Sequence, residues 1–315
     1  MPNCARLAAN LAAAVCAVAS LAIAPGAGVT VQPRTRAFDS RRAFRDLVKQ
    51  CDFGPRVPGT SAHDRCEQWL ARQLRACADE ATTQRFAQEV NGRRVPLTNI
   101  QAVFNPNGKE HILLCAHWDS RPAADRDPIL KRRSQPVPGA NDGASGVAVL
   151  LEVARALKAH PPKDRVTIVL FDGEDYGSNP ATMFLGSRYY AAHYSGPPMA
   201  WAVLLDMVGD RDLKIRREPL SLALAGEVVR RIWGAAARAG CSAFLDETGP
   251  ELLDDHVPLL ERGIPCIDVI DFDYPYWHTT ADTPDKCSAA SLDQVGRAVL
   301  QAIAEEETSR NQKGQ

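Results

Sequence analysis

The sequence predicts an α/β fold in which a mostly parallel sheet is covered by helices on both faces. Two observations predict these layers. The runs 111–117, 165–171, 200–206 and 265–270 are largely apolar along their whole length, as strands buried on both faces must be. Between them lie stretches of helical length and amphipathic spacing, 143–158, 185–193, 221–239 and 288–305, and such alternation of strand and helix builds parallel sheets. A third observation sets the scale: with 315 residues, 45% hydrophobic and 24% charged, the chain can bury a sizeable core.

Taken in order, the chain opens with an uncharged run, 7–24, that follows Arg6 and consists mostly of Ala, Leu and Val. This is the pattern of an export signal. The run nearly reaches the ~18 apolar residues of a spanning helix, so residues 1–27 are expected to be either a cleaved signal peptide or an N-terminal anchor. Ala22-Ile23-Ala24 has cleavage-site spacing but Pro25 follows it, and Ala17-Val18-Ala19 is a weaker site. Cys16 is preceded by Val15, where a lipoprotein signal requires a small residue, so no lipid anchor is expected. The chain is thus predicted to be exported, or held at the membrane if the leader stays.

Residues 36–307 show no repeat and no Gly/Ser/Pro linker, and are expected to form one domain. It begins with two helices whose apolar faces are Phe44, Leu47, Val48, Cys51 and then Cys66, Trp69, Leu70, Leu74, separated by the loop Gly54-Pro55-Arg56-Val57-Pro58-Gly59. The alternating strands and helices follow, and residues 308–315 form a polar tail expected to fray. Seven of the nine cysteines lie beyond the leader, with no Cys-x-x-Cys or Cys/His spacing. That argues against a zinc ribbon or a thioredoxin-like site, and Cys115 and Cys266, inside apolar runs, are expected to be buried thiols. Charge is balanced, 37 Lys+Arg against 38 Asp+Glu, which excludes the electrostatic footprint of a nucleic-acid or anionic-membrane binder. The basic run Lys131-Arg132-Arg133 in the loop 121–137 is expected to be a solvated surface.

Ligands of such sheets bind beyond the carboxyl ends of the strands, and every end here carries an acid or a histidine. The first strand ends in His117-Trp118-Asp119, and the helix after it opens with Gly139-Ala140-Asn141-Asp142. The next strands end in Asp172-Gly173-Glu174-Asp175 and Leu205-Asp206, and the last runs on to Tyr274-Pro275-Tyr276-Trp277-His278. Singly, each has an ordinary explanation: Asp142, Asp254 and Asp255 can cap helices, and Glu174-Asp175 can be a solvated loop pair. Together they cannot stand uncompensated, because two carboxylates about 4 Å apart repel by ~4 kcal/mol at an effective dielectric near 20. Protonation of one acid relieves part of this. With His117 and His278 at the same rim, a bound dication with mixed nitrogen and oxygen ligands is favoured, and zinc is the commonest fit.

These residues resemble the zinc-dependent exopeptidases, a three-layer α/β/α family. Within that superfamily, Asp254-Asp255-His256-Val257-Pro258, Arg262-Gly263-Ile264-Pro265 and Trp277-His278-Thr279 look like the animal-type glutaminyl-peptide cyclotransferases. The resemblance implies one zinc per chain on Asp142, Asp175 and His278, with Glu174 as the acid/base and Asp206 and Asp254 as the acids around it. It implies a peptide or protein substrate with N-terminal Gln, folded back in an apolar pocket for which Trp277, Trp118 and Tyr274 are candidate walls. His117, Asp142 and Asp206 also match the second-metal ligands of the di-zinc aminopeptidases, which makes hydrolysis of N-terminal residues with two zincs the alternative activity. A binding module that has lost catalysis is a third reading, against which the retained Glu174 argues. Two positions depart from the cyclase pattern: Asp175 stands where Glu is usual, and Asp268 where animal cyclases place a His.

Overall fold

The four apolar runs become the parallel part of a six-stranded sheet in a computed structural model that describes residues 37–313. The leader and its cleavage site lie outside the described residues. The sheet strands are β1 (Glu80–Val90), β2 (Arg93–Phe104), β3 (His111–His117), β4 (Arg165–Phe171), β5 (Trp201–Asp206) and β8 (Cys266–Ile270), in spatial order β1-β2-β4-β3-β5-β8. Strands β4, β3, β5 and β8 are parallel, whereas β2 runs antiparallel to β4 and β1 antiparallel to β2. A separate parallel pair, β6 (Ile215–Arg217) and β7 (Phe244–Thr248), lies apart from this sheet.

The hairpin β1–β2, like the pair β6–β7, is not among the elements that the apolar runs mark. Its strands carry Arg85, Glu89, Arg93 and Arg94 on a partly exposed edge, so the apolar run is broken. The turn Asn91-Gly92 has both residues at positive φ, 51° and 72°, the two-residue turn whose twist matches a hairpin.

The α-helices among the described residues are α1 (Ser40–Asp52), α2 (Ser61–Arg75), α3 (Ala144–Ala159), α4 (Leu185–His193), α5 (Pro219–Arg238), α6 (His256–Glu261) and α7 (Ala289–Lys313). Strand residues alternate between two cores because successive side chains point to opposite faces. Ile112, Leu114 and Ala116 of β3 join the core beneath α1, α3 and α7, while Leu113 and Cys115 join the one beneath α4, with Tyr190 and Ala191. Each fully buried Leu or Ile contributes about 1.5–3 kcal/mol. Helix α3 is the most deeply packed: a side chain at Gly146 would meet the Leu205 carbonyl at 2.1 Å, so only glycine lets the helix lie this close to β5. Its buried Glu152 is held by Arg42 of α1, at 2.6 and 2.7 Å. Helix α7 runs past Glu305 to Lys313, so the polar segment starts inside its last turns. Cys115 and Cys266 are buried, and none of the seven cysteines among the described residues is paired.

Candidate active site

The parallel strands finish together, with His117 beside Phe171 and Asp206 beside Ile270. This brings the loops behind them to one edge of the sheet. Asp142 is delivered by the turn before α3, where the Asp282 carboxylate accepts the N–H groups of Asn141 (2.8 Å) and Asp142 (3.2 Å), and Asn141 Oδ1 accepts the Gly209 N–H at 2.7 Å. Gly143 then takes φ 92°, and a side chain there would strike the Asp119 carbonyl at 2.7 Å and the His117 ring at 3.0 Å. Glu174 and Asp175 are placed by Asp119, whose two carboxylate oxygens accept their backbone N–H groups at 3.1 and 3.2 Å. Met207 (φ 45°) and His278 (φ 55°) occupy the left-handed region, a strained state for side chains of this size. At Met207 the turn lets its N–H bond Asp206 Oδ1 at 2.8 Å.

Two sets of donors result, each with ligand atoms within 4.8 Å of one another: His117, Asp142 and Asp206, and Asp142, Asp175 and His278. Asp142 belongs to both. His117 Nε2 lies 3.1 Å from Asp142 Oδ1 and 3.2 Å from Asp206 Oδ1, while His278 Nε2 lies 3.3 Å from Asp175 Oδ1 and 3.7 Å from Asp142 Oδ2. Asp142 Oδ2 and Asp175 Oδ2 are buried without a hydrogen-bond partner, and buried oxygens of this kind call for a cation. Two carboxylates and an imidazole suit zinc, so the residues present fit that metal. Glu174 stands beside both sets, with Oε2 3.7 Å from His117 Nδ1.

The crowding of like charge shows in the titration of the cluster. Burial and then the Asp175 carboxylate push Asp142 up to about 7 and raise Glu174 well above the usual carboxylate range. Burial opposes the charged form of His278, but Asp175 and Asp125 outweigh it and raise the imidazole to about 9. Asp175 moves the other way: against the effect of burial, His278 and Arg121 hold its carboxyl below the usual range.

A cavity of about 220 Å³ opens onto this cluster. Asp142, Glu174, Asp175, Asp206, Asp254 and His278 form its polar side, and Met207, Leu252, Ile270, Phe272 and Trp277 its apolar side. Trp277 stacks on His278, ring centroids 4.0 Å apart. The other two aromatic candidates do not line it. Trp118 is wholly buried, stacked on His63 at 4.2 Å, with its Nε1–H donated to the Thr98 carbonyl at 3.0 Å. The Tyr274 hydroxyl donates to Asp282 Oδ1 at 2.7 Å. Both serve the frame: each donates its polar hydrogen to a protein acceptor, as buried indoles and phenols usually do. Trp118→Phe, which strands the Thr98 carbonyl, is expected to lower stability by about 1–3 kcal/mol in denaturant melts while leaving KM unchanged.

Several residues that build the site carry no motif of their own. Asp282 and Arg56 brace the Gly-Ala-Asn-Asp turn, Arg56 from full burial with Nε on the Trp118 carbonyl at 3.0 Å and Nη1 on the Pro138 carbonyl at 2.9 Å. Asp268 is buried in β8, close enough to Asp254 and Asp206 that, after burial, their charges raise its pKa further. Its neighbour is His256, with Nδ1 at 4.0 Å. The loop 121–137 exposes Lys131, Arg132 and Arg133 as expected, but sends Arg121 inward, Nη1 2.8 Å from Asp175 Oδ1. The sequence carries no signal for this, since Arg121 is one of several basic residues in that loop and only its burial sets it apart.

Known proteins are similar to this chain in sequence and in fold. A solved glutaminyl cyclase of Bacteroides thetaiotaomicron, bound to N-acetylhistamine, superposes with a TM-score of 0.83 at 36% identity, covering 86% of this chain and 99% of that one. The glutaminyl-peptide cyclotransferase of Drosophila melanogaster is 25% identical over 272 residues, 76% of this chain and 74% of its own length. Aminopeptidase YwaD of Bacillus subtilis (strain 168) is 30% identical over 223 residues, 66% of this chain. The match spans 44% of the length of that aminopeptidase. The pattern that defines Peptidase family M28 matches residues 99–303, from β2 to the last helix, and the chain belongs to that family.

Proposed function

We propose that this chain is a glutaminyl-peptide cyclotransferase, which converts the N-terminal Gln of peptides and proteins to pyroglutamate and releases ammonia. The observation that carries the reading is the cavity itself: a third acid, Asp254, lines it together with Glu174, Asp206 and the indole of Trp277. One zinc, on Asp142, Asp175 and His278, would supply Lewis-acid polarisation of the substrate's side-chain amide. The protein's own residues do the rest. The apolar wall of Trp277 and Phe272 folds the Gln side chain back on its α-amine, so that nucleophile and electrophile meet within one residue. Glu174 accepts the proton that the α-nitrogen loses as it bonds to the side-chain amide carbon. The same carboxyl returns it to the departing nitrogen as the bond to that carbon breaks, and no water is consumed. Asp206 and Asp254 surround Glu174 with carboxyls that share the proton. The charge-free run behind Arg6 supports export of the enzyme, so the substrates would be met outside the cytoplasm.

The alternative is an aminopeptidase, favoured by one observation: the set His117, Asp142 and Asp206 is also complete. One assay separates the two. A peptide beginning in Gln is expected to lose ammonia, about 17 mass units, and keep its length with a blocked amino terminus, while a peptide beginning in Leu is untouched. Free Leu appearing at a comparable rate, with the Gln peptide merely shortened, would replace the cyclase reading by the aminopeptidase. Absence of both activities in metal-loaded protein would leave the binding module.

A further inference from the structure

We propose that Arg121 and Asp125, from the loop that follows β3, form a clamp that orients Asp175 and His278 and thereby sets the zinc affinity of the site; the proposal rests on Asp142, Asp175 and His278 being the zinc-holding set. Four side chains close a ring. Arg121, itself buried, places Nη1 2.8 Å from Asp175 Oδ1 and holds Asp125 through both oxygens, Nε to Oδ1 at 2.9 Å and Nη2 to Oδ2 at 3.2 Å. Asp125 Oδ1 lies 3.3 Å from His278 Nδ1, and His278 Nε2 lies 3.3 Å from Asp175 Oδ1.

The ring assigns each ligand its free atom. Arg121 holds Asp175 Oδ1, the oxygen that also lies 3.3 Å from His278 Nε2, and leaves Oδ2 buried without a hydrogen-bond partner. Asp125 Oδ1 stands on the Nδ1 side of the imidazole at ion-pair distance, without a hydrogen bond in this structure, and its charge favours the ring proton on that side, leaving the Nε2 lone pair for the metal. Asp175 is one methylene shorter than Glu, so a metal must come to this carboxylate, and a guanidinium that fixes its plane decides where. Asp125 moves with His278 because the loop is bound to the same segment: Arg126 N–H donates to the His278 carbonyl at 3.2 Å, and Asp127 Oδ2 accepts the Thr280 N–H at 3.0 Å and its hydroxyl at 2.6 Å. The competing explanation is that Arg121 only neutralises two carboxylates for the sake of the fold.

The test measures zinc affinity of the full chain by competition with a chromogenic chelator, and in parallel the melting temperature of the metal-free protein. Asp125→Asn, close in shape, is expected to weaken zinc binding about 10- to 100-fold with no loss of metal-free stability. Arg121→Met should weaken it similarly, Arg121→Lys should recover only part because one ammonium cannot span two carboxylates, and the double variant should be no weaker than the worse single one. Cyclisation by Asp125→Asn should return at saturating zinc. Unchanged zinc affinity in Asp125→Asn, or a fall in metal-free melting temperature that accounts for the weaker binding, would overturn the clamp. A wild-type chain that binds no zinc would overturn the ligand set and the clamp together, whichever peptide it acts on.

Discussion

Glu174→Gln is expected to lower turnover by about 100-fold or more while keeping zinc and near-native stability. The substitution preserves shape and the backbone N–H that Asp119 accepts at 3.1 Å, so the loop stays in place. What disappears is the proton carrier. Burial and the neighbouring Asp175 raise the Glu174 carboxyl well above the usual carboxylate range, the direction expected of a carboxyl that must hold a proton during the reaction. An amide in its place does neither. Steady-state rates on a Gln peptide, together with metal analysis of the same preparation, check both halves. Loss of metal in this variant would mean that Glu174 is a ligand and that its role and that of Asp175 are interchanged.

Removal of the metal is the second large effect. Purified protein is expected to hold about one zinc, and His278→Ala to lose it together with cyclisation, since that side chain closes the set with Asp142 and Asp175. Retention should also depend on pH, in a direction fixed by the titrations. Without metal, Asp142 titrates at about 7 and His278 at about 9. Zinc must displace those protons, so affinity should rise as pH increases through this window and fall below it. Chelator competition at several pH values measures the slope. A stoichiometry near two, with both metals required, would instead identify His117 and Asp206 as working ligands and move the assignment to the aminopeptidase.

Much of this was legible before any coordinates. Strands β3 and β4 fall where unbroken apolar runs place them, because a strand buried on both faces has little room for polar residues. The acids and histidines at the strand ends could be named for the complementary reason: carboxylates gathered at one edge need a common counter-charge. The hairpin β1–β2 was missed because an edge strand mixes charged and apolar residues and loses the signal that marked the others, although Asn91-Gly92 was there to be seen. Trp118 and Tyr274 are candidate pocket walls by sequence, yet both are packed into the frame. Neighbours along a chain often face opposite ways, and only packing assigns the side.

The layered α/β architecture, the family and the residues His117, Asp142, Glu174, Asp175, Asp206 and His278 can be named from local patterns, because all but His278 stand at or just past a strand end or just before a helix, and His278 belongs to the short Trp-His-Thr block. Only the folded chain places Asp142 in both donor sets and sets Asp119 and Asp282 to hold the turns. It also decides that Arg121 reaches Asp175 from a loop of mostly exposed charges. Those are contacts between segments separated by tens of residues, more than a hundred for Asp282, set by the closing of the sheet edge rather than by any local pattern.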